Sequence, residues 1–262
     1  MKPKSLPEWC SAILSFALLA GFGITSASHG SYLATHPVFL PWVFLSCVAS
    51  AGLIYLNGRG IGLLFASRWL GFGILATVAA FALQAQINGA IVKWCGPSAI
   101  HQAIPSLLLG FGAAFCQTLG KAAAVFCVLQ WMKNRTPLRA LAAGLGIGLG
   151  FGIAEILFIS LQMLLGNVNL TSLAGVVERA IAGGFHIYSG GLLACAFLQR
   201  SLLLLAIVLG AHTAMDSFAT AFAPQAGVWV SEGFFLILAV ITWICWKVAT
   251  RHFATDSDQA QG

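Results

Sequence analysis

The chain has 262 residues, 59% hydrophobic and only 8% charged, with 13 Lys and Arg against 7 Asp and Glu for a net charge of +6. An ordinary soluble domain carries about a quarter of its residues as charges, so this composition, with a mean hydropathy of +0.92, excludes that class and specifies a polytopic membrane protein. The basic residues are spread thinly between apolar segments, without a patch interleaved with aromatics, which argues against nucleic acid as a partner and makes them topology signals beside membrane lipid.

A helix needs about 20 apolar residues to cross the hydrocarbon core. Eight segments qualify: Trp9–Ser26, Val38–Leu56, Trp69–Ile91, Ser106–Trp131, Ala140–Leu165, Arg179–Leu198, Ser201–Phe222 and Val228–Val248. The expected fold is therefore an all-α membrane bundle of eight transmembrane helices, one domain over residues 1–262. With the N-terminus inside, the cytoplasmic side holds Lys2, Lys4, Arg59, Arg68, Lys133, Arg135, Arg139, Arg200, Lys247 and Arg251, and the outer loops hold Lys93 alone. Cytoplasmic loops collect Lys and Arg, so both termini are expected in the cytoplasm, with the chain in a bacterial-type cytoplasmic membrane.

The first segment is read as a retained signal anchor. Its basic start, apolar core and the small residues TSAS also fit a cleaved signal peptide, which leaves seven spans. His29 and His36, in the loop that follows, are expected to be solvated. In the third span, Gln84, Gln86 and Asn88 come near the outer end, where interface water satisfies them. The stretch Trp94 to Pro105 reads as an outer loop dipping back into the protein. The fifth span carries the glycine cluster AAGLGIGLGFGIAE, and small residues let membrane helices approach closely, which makes this span central. A nucleotide loop is rejected there because no strand precedes the glycines and no Lys-Ser/Thr follows. The seven cysteines stand singly, without metal-ligand spacing, and read as small buried hydrophobes. The polar tail Thr255–Gly262 is expected to be disordered.

Against this apolar background, ionisable residues stand out. His212 and Asp216 are four apart in LGAHTAMDSFATAF, on one helix face; Glu155 lies in the fifth span, Glu178, Arg179 and His186 in the sixth. Counted at 1.5 Å per residue from the outer span ends, Glu155, His186, His212 and Asp216 lie about 15, 10, 15 and 9 Å deep. Gln117 falls at a similar depth and Lys121 one turn deeper, in position to neutralise a carboxylate. Each ionisable group at the bilayer centre costs about 2.5–3.5 kcal/mol even on lenient scales. Four at one depth from three helices point to a site, whereas any one alone fits a satisfied polar network, His212 with Asp216 or Glu155 with Lys121 or Arg179. Glu178 is equally an N-terminal helix cap or a ligand.

Two imidazoles and a carboxylate, here His186, His212 and Asp216, suit Zn²⁺ with an open position, and a further carboxylate can deprotonate the bound water. Without metal, Glu155 can act as general base on water while the histidines stabilise an oxyanion. Either arrangement suits peptide hydrolysis inside a membrane.

GFGIAE at Gly150–Glu155, ERAIAGGFHIYS at Glu178–Ser189 and AHTAMD at Ala211–Asp216 together resemble the motifs of the YhfC-like family of membrane peptidases, which belongs with the PrsW and CAAX-processing intramembrane proteases. The resemblance covers Phe111 to Phe222 and implies catalytic or metal roles for Glu155, His186 and His212, with a membrane-protein or lipidated peptide as substrate. Two positions depart from the family pattern. Its Glu-Glu-x-x-Lys/Arg element is QTLGK here, with Gln117 and Thr118 at the glutamates and Lys121 kept in type, and Phe151 stands where a histidine is expected. Glutamine is no general base and phenylalanine no ligand. The expected activity is an intramembrane peptidase with Glu155 as base, His186 and His212 as ligands or oxyanion donors, and Asp216 as third ligand or orienter of His212. An inactive peptidase-like subunit and a proton-coupled carrier are the competing readings. The carrier predicts inverted repeats with broken helices, and the polar residues instead crowd the second half.

Overall fold

A computed structural model of the chain describes residues 13, 15, 39, 41–48, 66–96, 102–132, 136–165, 173–222 and 226–259. Among these residues there is no strand. After a 3-10 turn at Ser67–Trp69 come six long helices: α1 (Leu70–Cys95), α2 (Ala103–Trp131), α3 (Pro137–Leu164), α4 (Leu173–Gln199), α5 (Leu202–Ala221) and α6 (Val228–Gln259). Each is long and apolar enough to cross a membrane, and the chain is an all-α, multi-pass membrane bundle. These helices occupy the last six of the eight expected spans. Most of the first two expected spans, the TSAS stretch, His29 and His36 lie outside the described residues.

Three helix boundaries differ from the expected ones by more than a turn, the first at α1, which runs to Cys95 rather than Ile91 and so takes Trp94 out of the expected loop. α4 begins at Leu173 rather than Arg179, because LAGVV ahead of the charged pair continues the helix. Glu178 is consequently one turn inside α4 and is not its N-terminal cap. α6 runs to Gln259, into the stretch expected as a disordered tail, of which residues 260–262 are not described. At the dipping loop, α2 already starts at Ala103, so Pro105 lies in its first turn, where the missing N–H costs nothing. α3 starts on Thr136, whose side chain accepts from Arg139 N at 3.4 Å, with Pro137 in the first turn. The described cysteines are free thiols, Cys116 and Cys195 buried and Cys127 exposed on the surface of the bundle.

The helices are not equally enclosed. In their most apolar windows 78% of α3 and of α4 is buried, against 22% of α5 and 28% of α6, which makes α3 and α4 the interior pair. α4 packs on α3 and α6, while α2 packs on α1 and α5. The main core joins Val125, Val128 and Leu129 of α2 with Leu145, Ile147 and Leu149 of α3 and Ile187, Leu192 and Leu193 of α4. Close approach of α3 to α4 depends on glycine: a Cβ on Gly148 would collide with the His186 carbonyl oxygen, and one on Gly190 with that of Gly144.

Candidate functional site

The Gly148 crossing sets backbone against backbone at His186, and two turns further along α3 Glu155 reaches the same histidine. α4 passes to α5 through Arg200, which has a positive φ of 53°, and Ser201, whose side chain accepts from Leu204 N at 3.4 Å. That short connection makes α4 and α5 neighbours and brings His186 level with His212. α5 is tied to α2 by Ser217 Oγ donating to Leu107 O (3.3 Å) and Thr220 Oγ1 donating to Ser106 O (2.8 Å). Gly110 of α2 lies against the backbone of Asp216 and Ser217.

All four residues singled out in the sequence, Glu155, His186, His212 and Asp216, line one cavity of about 60 Å³, with Glu178 and Arg179 as its other charged walls. Ala182, Met215, Ala219 and Phe235 complete the lining. A water needs about 10–15 Å³ on this measure, so the cavity has room for a few.

His186 Nε2 is 2.6 Å from Glu155 Oε2, and its Nδ1 is 3.0 Å from Lys121 Nζ. Lys121 also donates to Ser189 Oγ at 3.0 Å. Glu155 Oε1 faces Arg179 Nη1 at 3.5 Å, and Arg179 Nη2 donates to Glu178 Oε1. His212 Nδ1 pairs with Thr118 Oγ1 at 2.9 Å, while its Nε2 is 3.7 Å from Asp216 Oδ2, too long for a hydrogen bond. The two imidazole rings lie 5.5 Å apart, nearly perpendicular, with Phe185 against both and Phe151 against His186.

Several expectations change in detail. Glu155 takes His186 as its close partner and Arg179 as a looser one; Lys121 acts on it only at longer range, through charge. Gln84, expected to be satisfied by interface water, accepts from Gln117 Nε2 at 3.3 Å inside the bundle. Glu232 went unnoticed in the sequence because it stands one turn into the last span, where a carboxylate reads as interfacial. It is nonetheless only 6% exposed and interacts electrostatically with Glu178 and Arg179. Ser189, inside the ERAIAGGFHIYS segment, carried no signal of its own.

Zinc needs a convergent, roughly tetrahedral donor set. Among the described residues no three His, Cys, Asp or Glu side chains are so arranged. His186 has both ring nitrogens engaged, one of them by a lysine. As placed, His186, His212 and Asp216 share a cavity without forming a zinc set. The groups present can hold water, accept its proton at Glu155 and donate to an oxygen from Arg179, whose Nε and Nη1 are buried without a hydrogen-bond partner among the described residues. No family model, no curated protein and no solved structure matches the chain.

Proposed function

We propose that the chain is an intramembrane peptidase of a cytoplasmic membrane, hydrolysing a peptide bond of a membrane protein or lipidated peptide, with Glu155 as the base that activates water. The observation that carries this is a water-sized polar cavity inside a membrane bundle, in which a carboxylate held by His186 faces an arginine with unpartnered donors. Such a cavity is costly to keep without a task. The likeness of its motifs to the YhfC-like and PrsW-type peptidases points to the same chemistry.

Glu155 takes a proton from water as the oxygen attacks the carbonyl carbon. Arg179 and His212 Nε2 donate to the oxyanion that forms, and Thr118, bonded to Nδ1, orients His212. Collapse of the intermediate breaks the C–N bond, and the proton held on Glu155 passes to the leaving amine.

An inactive relative is the second reading, favoured by Thr118, which holds His212 Nδ1 from a position where the resembled family has a glutamate. Mass spectrometry of protein N-termini in membranes of cells expressing the wild type or E155Q separates the two. Removing a general base costs about 10²–10⁴-fold, so new termini within or beside transmembrane segments should appear with the wild type, persist with a chelator present, and vanish with E155Q. Identical termini in both strains would overturn the peptidase.

A further inference from the structure

Lys121 has no exposed surface, and its Nζ meets two groups on α4, His186 Nδ1 and Ser189 Oγ, each at 3.0 Å. The Ser189 hydroxyl proton is committed to the His186 carbonyl oxygen at 3.0 Å, so Ser189 accepts from Lys121. The rings of Phe151 and Phe185 lie with their centres 5.1 and 5.4 Å from Nζ, and together with the charges of Glu155 and Asp216 they support an ammonium against the cost of burying it. An ammonium has three donors and no acceptor, so His186 Nδ1 must offer its lone pair. A neutral imidazole accepting at Nδ1 carries its proton on Nε2, and Nε2 is 2.6 Å from Glu155 Oε2. The carboxylate oxygen is therefore the acceptor of that bond.

We infer that Lys121 is a positioning residue that fixes His186 as its Nε2–H tautomer and, through it, pins Oε2 of Glu155. His186 is then a donor, neither a proton acceptor nor a metal ligand. Glu155 is left to work through Oε1, whose 3.5 Å contact with Arg179 Nη1 makes no hydrogen bond. One retained residue of the family pattern and one departure from it acquire a role. Lys121, the one residue of QTLGK kept in type, sets the tautomer, and Phe151, in place of a histidine, supplies a ring beside both the ammonium and His186, 5.1 Å from Nζ and 4.9 Å from the imidazole. The consequence for water activation rests on the peptidase proposal; the tautomer does not.

The test is long-range ¹H–¹⁵N correlation on histidine-labelled full-length protein in nanodiscs, with the His186 signals assigned by their loss in H186Q. The wild type should show His186 protonated on Nε2 alone, its Nδ1 resonance displaced from the free-imine position by the hydrogen bond. K121M should return that resonance to the free-imine position or mix the tautomers, and K121R should keep the wild-type pattern. In a cleavage assay, K121M should lower kcat at least tenfold with KM unchanged. A His186 protonated on Nδ1, or doubly, in the wild type would overturn the inference even if K121M does not fold, as would a K121M spectrum identical to the wild type. The Nε2–H form together with termini unaffected by E155Q would sink the peptidase and leave the tautomer standing; E155Q-sensitive cleavage with Nδ1–H would do the reverse.

Discussion

Arg179 is the residue on which the charge balance of the cavity turns. It is 7% exposed and interacts with Glu155, Glu178 and Glu232, from three helices. Removing one partner of a buried ion pair costs about 3–5 kcal/mol, because the remaining charge stays buried and uncompensated. R179Q should destabilise the protein by that amount, read as a lower thermal midpoint in detergent, and adding E178Q to R179Q should recover part of the loss. Equal midpoints for the wild type and R179Q would mean that the three carboxylates are compensated elsewhere. At this scale the sequence was most informative where an ionisable residue interrupts an apolar run, as at Glu155, His186, His212 and Asp216. It was least informative for Glu232, one turn from the end of its span, and for Ser189 and Thr118, whose hydroxyls are ordinary in membrane helices until a partner is known.

Among the helices, α3 is the one whose substitution should be least tolerated. Glycine cluster and central position go together, as the sequence suggested, because each face of α3 meets another backbone: Gly73 and Leu70 on the α1 side, Gly190 and His186 on the α4 side. At Gly148 the obstacle is the His186 carbonyl itself, which cannot turn aside as a side chain can. G148V should therefore separate α3 from α4, at a cost of about 1–3 kcal/mol or more for overpacking, and move Glu155 away from His186. The expected readout is a lowered thermal midpoint together with loss of the wild-type His186 resonances. The same substitution at Gly89, which has nothing within 4 Å of its would-be Cβ, should change neither.

Over the whole molecule, a closed interior pair is surrounded by helices that present apolar side chains outward, such as Leu202 and Leu203 of α5 and Ile237 and Ile241 of α6. Those faces suit lipid tails, as a membrane bundle requires. The orientation proposed from the lysine and arginine distribution is open to direct test. Reporter fusions after Trp94 should be active on the outer side and fusions after Arg200 in the cytoplasm; the opposite pattern would invert the bundle and place the cavity in the inner half.

What the sequence determined by itself was the class of protein and which ionisable residues stand within its helices. Hydrophobic runs of span length leave no other fold for the chain in lipid, since each helix must satisfy its own backbone, and a charge in such a run is conspicuous because it is costly. Tertiary structure alone decided who partners whom. Helical spacing places His212 and Asp216 on one face, but their 3.7 Å separation and the capture of His212 by Thr118 come from the way α2 lies on α5. Likewise, nothing in QTLGK announces that its lysine reaches across to His186 and Ser189. That contact exists because helices distant in the chain are packed together, and the direction of a hydrogen bond is set by both of its ends.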